Sequence, residues 1–219
     1  MKYATIHRAA YRYYYENIGG FARPANSKRE KICYLDKEGT GDFWGNVGLG
    51  VLPDIRIYGK DPKTGKYKDT DKIFGTTIHE LAHVSHCTWL NKIQYWQVSK
   101  IIYESWAECV EWAITRLEYE ALGKTVSVAD HQNWPVPGDD LAYSSIFIDL
   151  VDTYNQGKND TDLPYDEVSG YSYSVLNVLL LDSYGLSSLK KNVKKWRPYN
   201  VTNEQIDKLF EKYEETKWK

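Results

Sequence analysis

The sequence predicts an α+β fold, mainly helical with a small N-terminal β-sheet, and three observations carry that prediction. Two short runs, 31–35 and 54–58, are rich in β-branched and aromatic residues and are bounded by Gly, Pro and Asp, as strands are. From about residue 76 onward, apolar residues recur at helical spacing in one segment after another. A polar stretch rich in Lys, Asp and Gly, 59–72, separates the two regimes.

Taken in order, residues 5–17 carry aromatic and apolar side chains at helical spacing and stop at Gly19-Gly20, so they read as a helix with a good terminator. The two strands follow, with the Gly-rich piece 45–50 between them as a loop or bulged edge. Helices are then expected over 76–90, 94–122, 139–155, 169–183, 187–196 and 202–217. Thr202 with Gln205 three residues on is a capping-box signature for the last. At 219 residues the chain can bury a sizeable core in one domain. Its N-terminal α/β part covers about 1–122 and its helical C-terminal part about 123–219, because the loops at 135–138 and 157–164 are too short to divide independent units.

Composition narrows the partners. With 28 basic and 30 acidic residues there is no positive excess to hold a phosphate backbone, so nucleic acid is not an expected partner. No apolar stretch is long enough for a transmembrane segment. The 19 Tyr and 8 Trp are spread along the chain, and such side chains recur in clefts that grip extended polymers. Cys33, Cys87 and Cys109 are odd in number and lack CxxC spacing, which predicts buried free thiols over a disulfide framework or a thiolate metal site. Met1 is the only methionine and the chain enters a helical pattern at once, which suggests a trimmed leader and an extracytoplasmic home, periplasmic, cell-surface or secreted. Nothing in the sequence bears on oligomeric state.

The chemistry concentrates in Thr76-Thr77-Ile78-His79-Glu80-Leu81-Ala82-His83. Residues four apart on a helix share a face and are separated by about 6 Å along the axis, so His79 and His83 can converge on one ion. Glu80, beside the first histidine, is placed to act as general base toward an attacking water. A catalytic zinc needs a third protein ligand and an open fourth position. A third histidine six residues beyond His83 is excluded, since Trp89 stands there, and a methionine turn is excluded because no methionine follows Met1. His86 would strain the short segment it shares with the other two, so it is expected at the surface or behind the site. Twenty residues separate His83 from Glu104, enough to end one helix, turn, and bring a second back past the metal. Glu104 is the expected third ligand of one Zn2+ ion, with Glu108 as the substitute one turn on. If Glu104 holds the metal, Glu108 is placed to bond the distal nitrogen of a ligand histidine. His7 and His131 lie in no pattern and read as structural or exposed.

HELAH followed by Glu104-Ser105-Trp106-Ala107 resembles the gluzincin metallopeptidases, the superfamily that holds the thermolysin-like enzymes and the zinc aminopeptidases. The wording of the core, HELAHVSH and ESWAE, looks most like uncharacterised secreted or cell-envelope bacterial members. The match spans about thirty residues around the motif. It implies a zincin-like fold in which the HExxH helix packs on a second helix bearing the glutamate ligand. It also implies a zinc peptidase acting on peptide or protein substrates, with Glu104 as ligand and Glu108 behind it. The aminopeptidase markers are missing: Tyr103 stands where those enzymes have Asn, and there is no Gly-x-Met-x-Asn strand, so an endopeptidase is expected. Relatives supply an oxyanion donor some sixty-odd residues after the ligand glutamate, which implies Tyr171 here, with Tyr165 and Tyr173 as alternatives and Ser169 as the N-cap of its helix. A different class of function stands beside this one, a catalytically weak peptidase-like module binding peptide or glycan.

Overall fold

The computed structural model describes residues 2–24, 30–43, 54–127, 131–132, 143–158, 160 and 163–214, the side chains of Asn91 and Lys92 excepted. It is a mixed α+β structure, mostly helical, with one three-stranded sheet. Helix α1, Lys2–Tyr15, buries Thr5, Ile6, Ala9 and Tyr13, a stripe at helical spacing that packs on α2. Strands β1 (Ile32–Glu38), β2 (Gly41–Phe43) and β3 (Ile55–Lys60) form a sheet in the order β1-β3-β2. β1 runs parallel to β3, and β2 pairs antiparallel with β3 through Gly41, Asp42 and Phe43. In β3, burial alternates strictly, with Ile55 and Ile57 fully inside and Arg56 and Tyr58 on the other face.

The centre of the molecule is a helical pair, α2 (Thr70–Tyr95) and α3 (Lys100–Ala121), joined by the turn at 96–99. Both are longer or differently bounded than periodicity indicates. α2 starts six residues before the expected 76 because Gly75, which reads as a helix boundary, lies inside it. A β-carbon at Gly75 would sit 3.2 Å from the Cδ and Cγ of Glu111 and closer still to its Oε1, so a glycine here lets α3 approach at the cost of helix propensity. At its other end α2 runs on through Tyr95, past the point at which the next helix was expected to begin. α3 buries almost every face, including Trp106, Ala107, Cys109, Val110 and Ile114, which makes it the core's central rod.

The C-terminal part is less helical than its pattern. Of the expected helix over 139–155, residues 139–142 lie outside the described residues, and the remainder holds one turn, α4 (Ile146–Asp149), followed by a 3-10 turn at Gln156–Lys158. Asp149 accepts hydrogen bonds from Tyr213, Gln156 and Ser145, and these side-chain contacts draw the segment out of helix. Helix α5 spans Tyr173–Leu181, capped by Ser172 in place of the expected Ser169: the Ser172 hydroxyl accepts from Val175 N at 3.3 Å. Gly170 and Tyr171 instead donate their backbone N–H groups to Val151 and Leu150. α6 (Leu186–Lys195) and α7 (Asn203–Glu214) close the domain, tied by Lys190 and Lys194 to Asp207 and by Lys190 to Glu214. The capping box at Thr202 forms both reciprocal bonds, Thr202 N to Gln205 Oε1 at 2.8 Å and Gln205 N to Thr202 Oγ1 at 3.2 Å. The Gly-rich piece 45–50 lies outside the described residues. No described helix is long and apolar enough to cross a membrane. Cys87 and Cys109 are buried and Cys33 is partly buried, and none of the three is in a disulfide.

Candidate metal centre

The contacts between α2 and α3 run in opposite chain directions, Gly75 against Glu111, His79 against Glu108, and His83 against Glu104. That antiparallel register follows from the short turn between the helices. It lines up His79 and His83, four apart on α2, with Glu104, Glu108 and Glu111, which share one stripe of α3.

Glu104 Oε2 lies 3.2 Å from His79 Nε2 and 3.2 Å from His83 Nε2, and the three donor atoms are all within 4.8 Å of one another, a group that could hold a metal ion. His79, Glu80 and His83 are buried at 6%, 5% and 5% exposure, so an ion there would meet protein ligands more than solvent. The outer nitrogens of both imidazoles are also engaged. His79 Nδ1 lies 3.2 Å from Glu111 Oε2 and 3.5 Å from Glu108 Oε2, and His83 Nδ1 lies 3.3 Å from the Tyr95 hydroxyl. These contacts fix which nitrogen faces the shared centre.

A second trio, His79, Glu108 and Glu111, could also gather an ion, but through Nδ1. Such an ion would leave His83 and Glu104 idle. The first trio uses both imidazoles and leaves an N–H on Nδ1 to donate to a carboxylate, so every contact has a purpose.

Electrostatics follow from this crowding. Burial opposes charge on His79, yet Glu104, Glu108 and Glu111 together hold its pKa well above the ordinary imidazole value. Burial likewise opposes ionisation of Glu104, and the hydrogen bonds of both histidines overcome it and keep the carboxyl well below the usual range. His83 shifts the other way, downward, chiefly through burial. Burial also pushes the Glu80 carboxyl up to about 8, so with no cation beside it the group is mostly protonated at neutral pH. A divalent cation at the shared centre would replace the proton on His79 and draw Glu80 back down.

Strand β2 roofs the group. A β-carbon on Gly41 would fall 3.0 Å from Glu80 Cδ, and the Phe43 ring lies parallel to His83 with centroids 6.4 Å apart. Tyr103 meets His83 edge-on at 5.6 Å, and Tyr143 lies against His79 at 5.9 Å.

The structure thus gathers His79, Glu80, His83, Glu104 and Glu108, but not Tyr171. The Tyr171 hydroxyl is buried and donates to the Val193 carbonyl of α6 at 2.9 Å, since the segment before α5 packs inward. Tyr173 stacks on Phe21 at 4.0 Å, and half-buried Tyr165 donates to Glu167. Among the described residues the tyrosines beside the histidines are Tyr95, Tyr103 and Tyr143; the helical period read over 139–155 gave no sign of Tyr143, because that segment keeps only one turn of helix. Glu111 was legible, three residues beyond Glu108 on the same helical stripe, but the motif ends before it. Of the two readings given to His131, the structural one fits: it pairs through Nδ1 with Glu108 Oε1 and has a left-handed φ of 65°. His86 is fully buried, edge-on to Tyr95, and is not at the surface.

Against known proteins, the chain matches no family model, no curated protein and no solved structure. The class it can be assigned from its own coordinates is a mixed α+β domain with a buried His/Glu group able to hold a metal ion.

Proposed function

We propose that the protein is a zinc-dependent peptidase of the gluzincin type with a zincin-like fold, in which His79, His83 and Glu104 hold one Zn2+ and Glu80 is the general base. The single observation that carries the reading is the pair of 3.2 Å separations from Glu104 Oε2 to the two imidazole nitrogens. Tetrahedral zinc with bonds of 2.0–2.1 Å sets its ligand atoms about 3.3 Å apart. The donor set, two nitrogens and one oxygen with an orienting partner behind each histidine, also suits zinc over calcium or magnesium.

Bound zinc supplies a Lewis acid for the scissile carbonyl and lowers the pKa of water toward about 7. Glu80 takes the proton from the attacking water and returns it to the leaving nitrogen. Burial raises the Tyr143 pKa, so its hydroxyl is neutral and able to donate to the oxyanion, the role the sequence gave to Tyr171. Support for a peptide substrate comes from β2. It is an edge strand, its outer side is unpaired among the described residues, and it runs over Glu80, where an extended peptide could add as a further strand.

The test is metal content by elemental analysis, with turnover of a peptide library. Wild type should carry one zinc per chain, His79→Ala and Glu104→Ala should carry little, and Glu80→Gln should keep its zinc and lose turnover. Normal turnover by Glu80→Gln would remove Glu80 as the base, and metal-free wild type after zinc loading would end the proposal.

A further inference from the structure

We infer that the exposed end of α6, from Lys191 to Tyr199, is a docking surface for an anionic lipid bilayer, on which the protein rests without crossing it. Leu189 and Val193 are fully buried and anchor α6 in the core. A residue two places along a helix lies about 200° around it, so Lys191 and Lys195 point away from that anchor, and both are exposed. The helix ends at Trp196, and the chain then turns through exposed Arg197 and Tyr199, closed by the bond from Val201 N to the Pro198 carbonyl at 3.1 Å. Trp196 is 45% exposed and Tyr199 wholly so.

The cations of α6 divide into two sets. Lys190 and Lys194 pair with Asp207 of α7, and Lys190 also pairs with Glu214. Lys191, Lys195 and Arg197 have no acidic partner among the described residues. Lys195 Nζ lies 5.4 Å from the centre of the Trp196 ring, and Arg197 donates to the Lys194 carbonyl at 2.9 Å. One face therefore presents three positive charges that no carboxylate answers, beside two exposed aromatic rings.

With a net charge of -2 for the chain, this surplus is local, and it suits a negative surface that meets the protein on one side. Each Lys or Arg held at an anionic leaflet adds about fivefold in affinity, about a hundredfold for the three together. Trp and Tyr, apolar in body and polar at the tip, settle at the headgroup level of a bilayer. The apolar face of α6 is taken by the core, so contact comes from the flexible lysine stems and the two rings, and the helix itself stays outside. The same five side chains fit other partners less well. A stable protein partner takes about 20–30 residues a side. A nucleic acid needs a basic groove along its phosphates, and the hollow beside this face, against α7, is mainly acidic, with Glu204, Asp207, Glu211 and Glu214.

The experiment sediments the full chain, after zinc loading, with vesicles of phosphatidylcholine alone or mixed equally with phosphatidylglycerol. Binding should occur on the mixed vesicles only and should be lost when salt rises from about 0.1 to about 1 M. Replacing Lys191, Lys195 and Arg197 together by Gln should weaken it about a hundredfold, while Trp196→Ser should weaken it with the salt dependence unchanged. A control that removes three exposed charges elsewhere, Lys37→Gln with Lys63→Gln and Lys66→Gln, should bind as wild type does. All the charged positions lie on the surface, so the melting curves of both triple variants should coincide with that of wild type. No sedimentation of wild type with the mixed vesicles overturns the inference, as does equal binding to both vesicle types or an equal loss in the control. A DNA duplex that binds more tightly than the vesicles and displaces them reassigns the face to nucleic acid and overturns it too.

Discussion

Replacing Gly41 by alanine separates the proposed catalytic role of Glu80 from its role in packing. Gly41 does not have a left-handed φ, so the backbone accepts an alanine and the perturbation is steric alone. The new methyl carbon would lie 2.7 Å from Thr76 Cγ2 and 3.0 Å from Glu80 Cδ. Carbon atoms rest about 3.5–4.0 Å apart, so β2 and the Glu80 carboxylate must part by about 1 Å. Overpacking of this kind costs about 1–3 kcal/mol, which for a chain of this size lowers Tm by roughly 2–4 °C per kcal/mol. A general base moved by about 1 Å costs more, on the order of a hundredfold in rate. The expected result is kcat/KM on a cleaved peptide reduced about a hundredfold, zinc content unchanged, and a modest fall in Tm. Adding Thr76→Ser removes one of the clashing atoms but not Glu80, so the pair should regain Tm while kcat stays low. If Gly41→Ala kept kcat/KM within twofold of wild type, the close approach of β2 to Glu80 would have no part in the chemistry.

Three more tests follow from the geometry. Tyr143→Phe should lower kcat about a hundredfold with zinc retained, whereas Tyr171→Phe should leave kcat unchanged and cost about 1 kcal/mol in chemical denaturation by orphaning the Val193 carbonyl; the reverse pattern would return the oxyanion role to Tyr171. Glu111→Gln should weaken zinc binding by about 10–100-fold in a competitive chelator titration, and more than Glu108→Gln, because Glu111 is the nearer acceptor for His79 Nδ1; equal or reversed effects would assign the orienting bond to Glu108. Burial lowers the His86 pKa to about 3, against about 6.5 when unfolded, so the unfolded chain binds the extra proton first: this contribution to stability is intact above pH 6.5 and declines by about 1.4 kcal/mol per pH unit down toward pH 3. His86→Phe should flatten that slope in urea melts from pH 6.5 to 4, and an identical slope in both proteins would refute the assignment.

The HExxH face and its glutamate partner were legible because both obey helical spacing, and spacing is what a sequence displays. His79 and His83 lie four apart, Glu104 and Glu108 four apart, and the loop between fixes an antiparallel pair. Other parts were hidden for physical reasons. Gly75 looks like a boundary because its low helix propensity is visible, while the Glu111 carboxylate that requires it is 36 residues away. β2, three residues long, is too short to show alternation and exists only because Ile55 to Ile57 pairs with it. The segment 139–155 reads as helix by its apolar run IFID, but the polar side chains Ser145, Asp149 and, just past its end, Gln156 bond one another, and those contacts join residues that no local pattern relates. Tyr171 followed from distance along the chain, and distance along the chain does not say which way a residue faces.

The stripe of Glu104, Glu108 and Glu111 explains why the proposed site needs more than three ligand residues. Three carboxylates converge on one imidazole, and one N–H at His79 Nδ1 cannot satisfy two of them. The structure divides the load. Glu104 turns to the shared centre with both Nε2 atoms, Glu111 takes the nearer place at Nδ1 in the space left by Gly75, and Glu108 turns its other oxygen to His131. Each negative charge therefore has a separate partner, and Lys68, whose charge also acts on Glu111 and Glu80, adds a further positive group at the rim. On this arrangement His131 is part of the metal centre's support although it lies 27 residues beyond Glu104 and outside the motif.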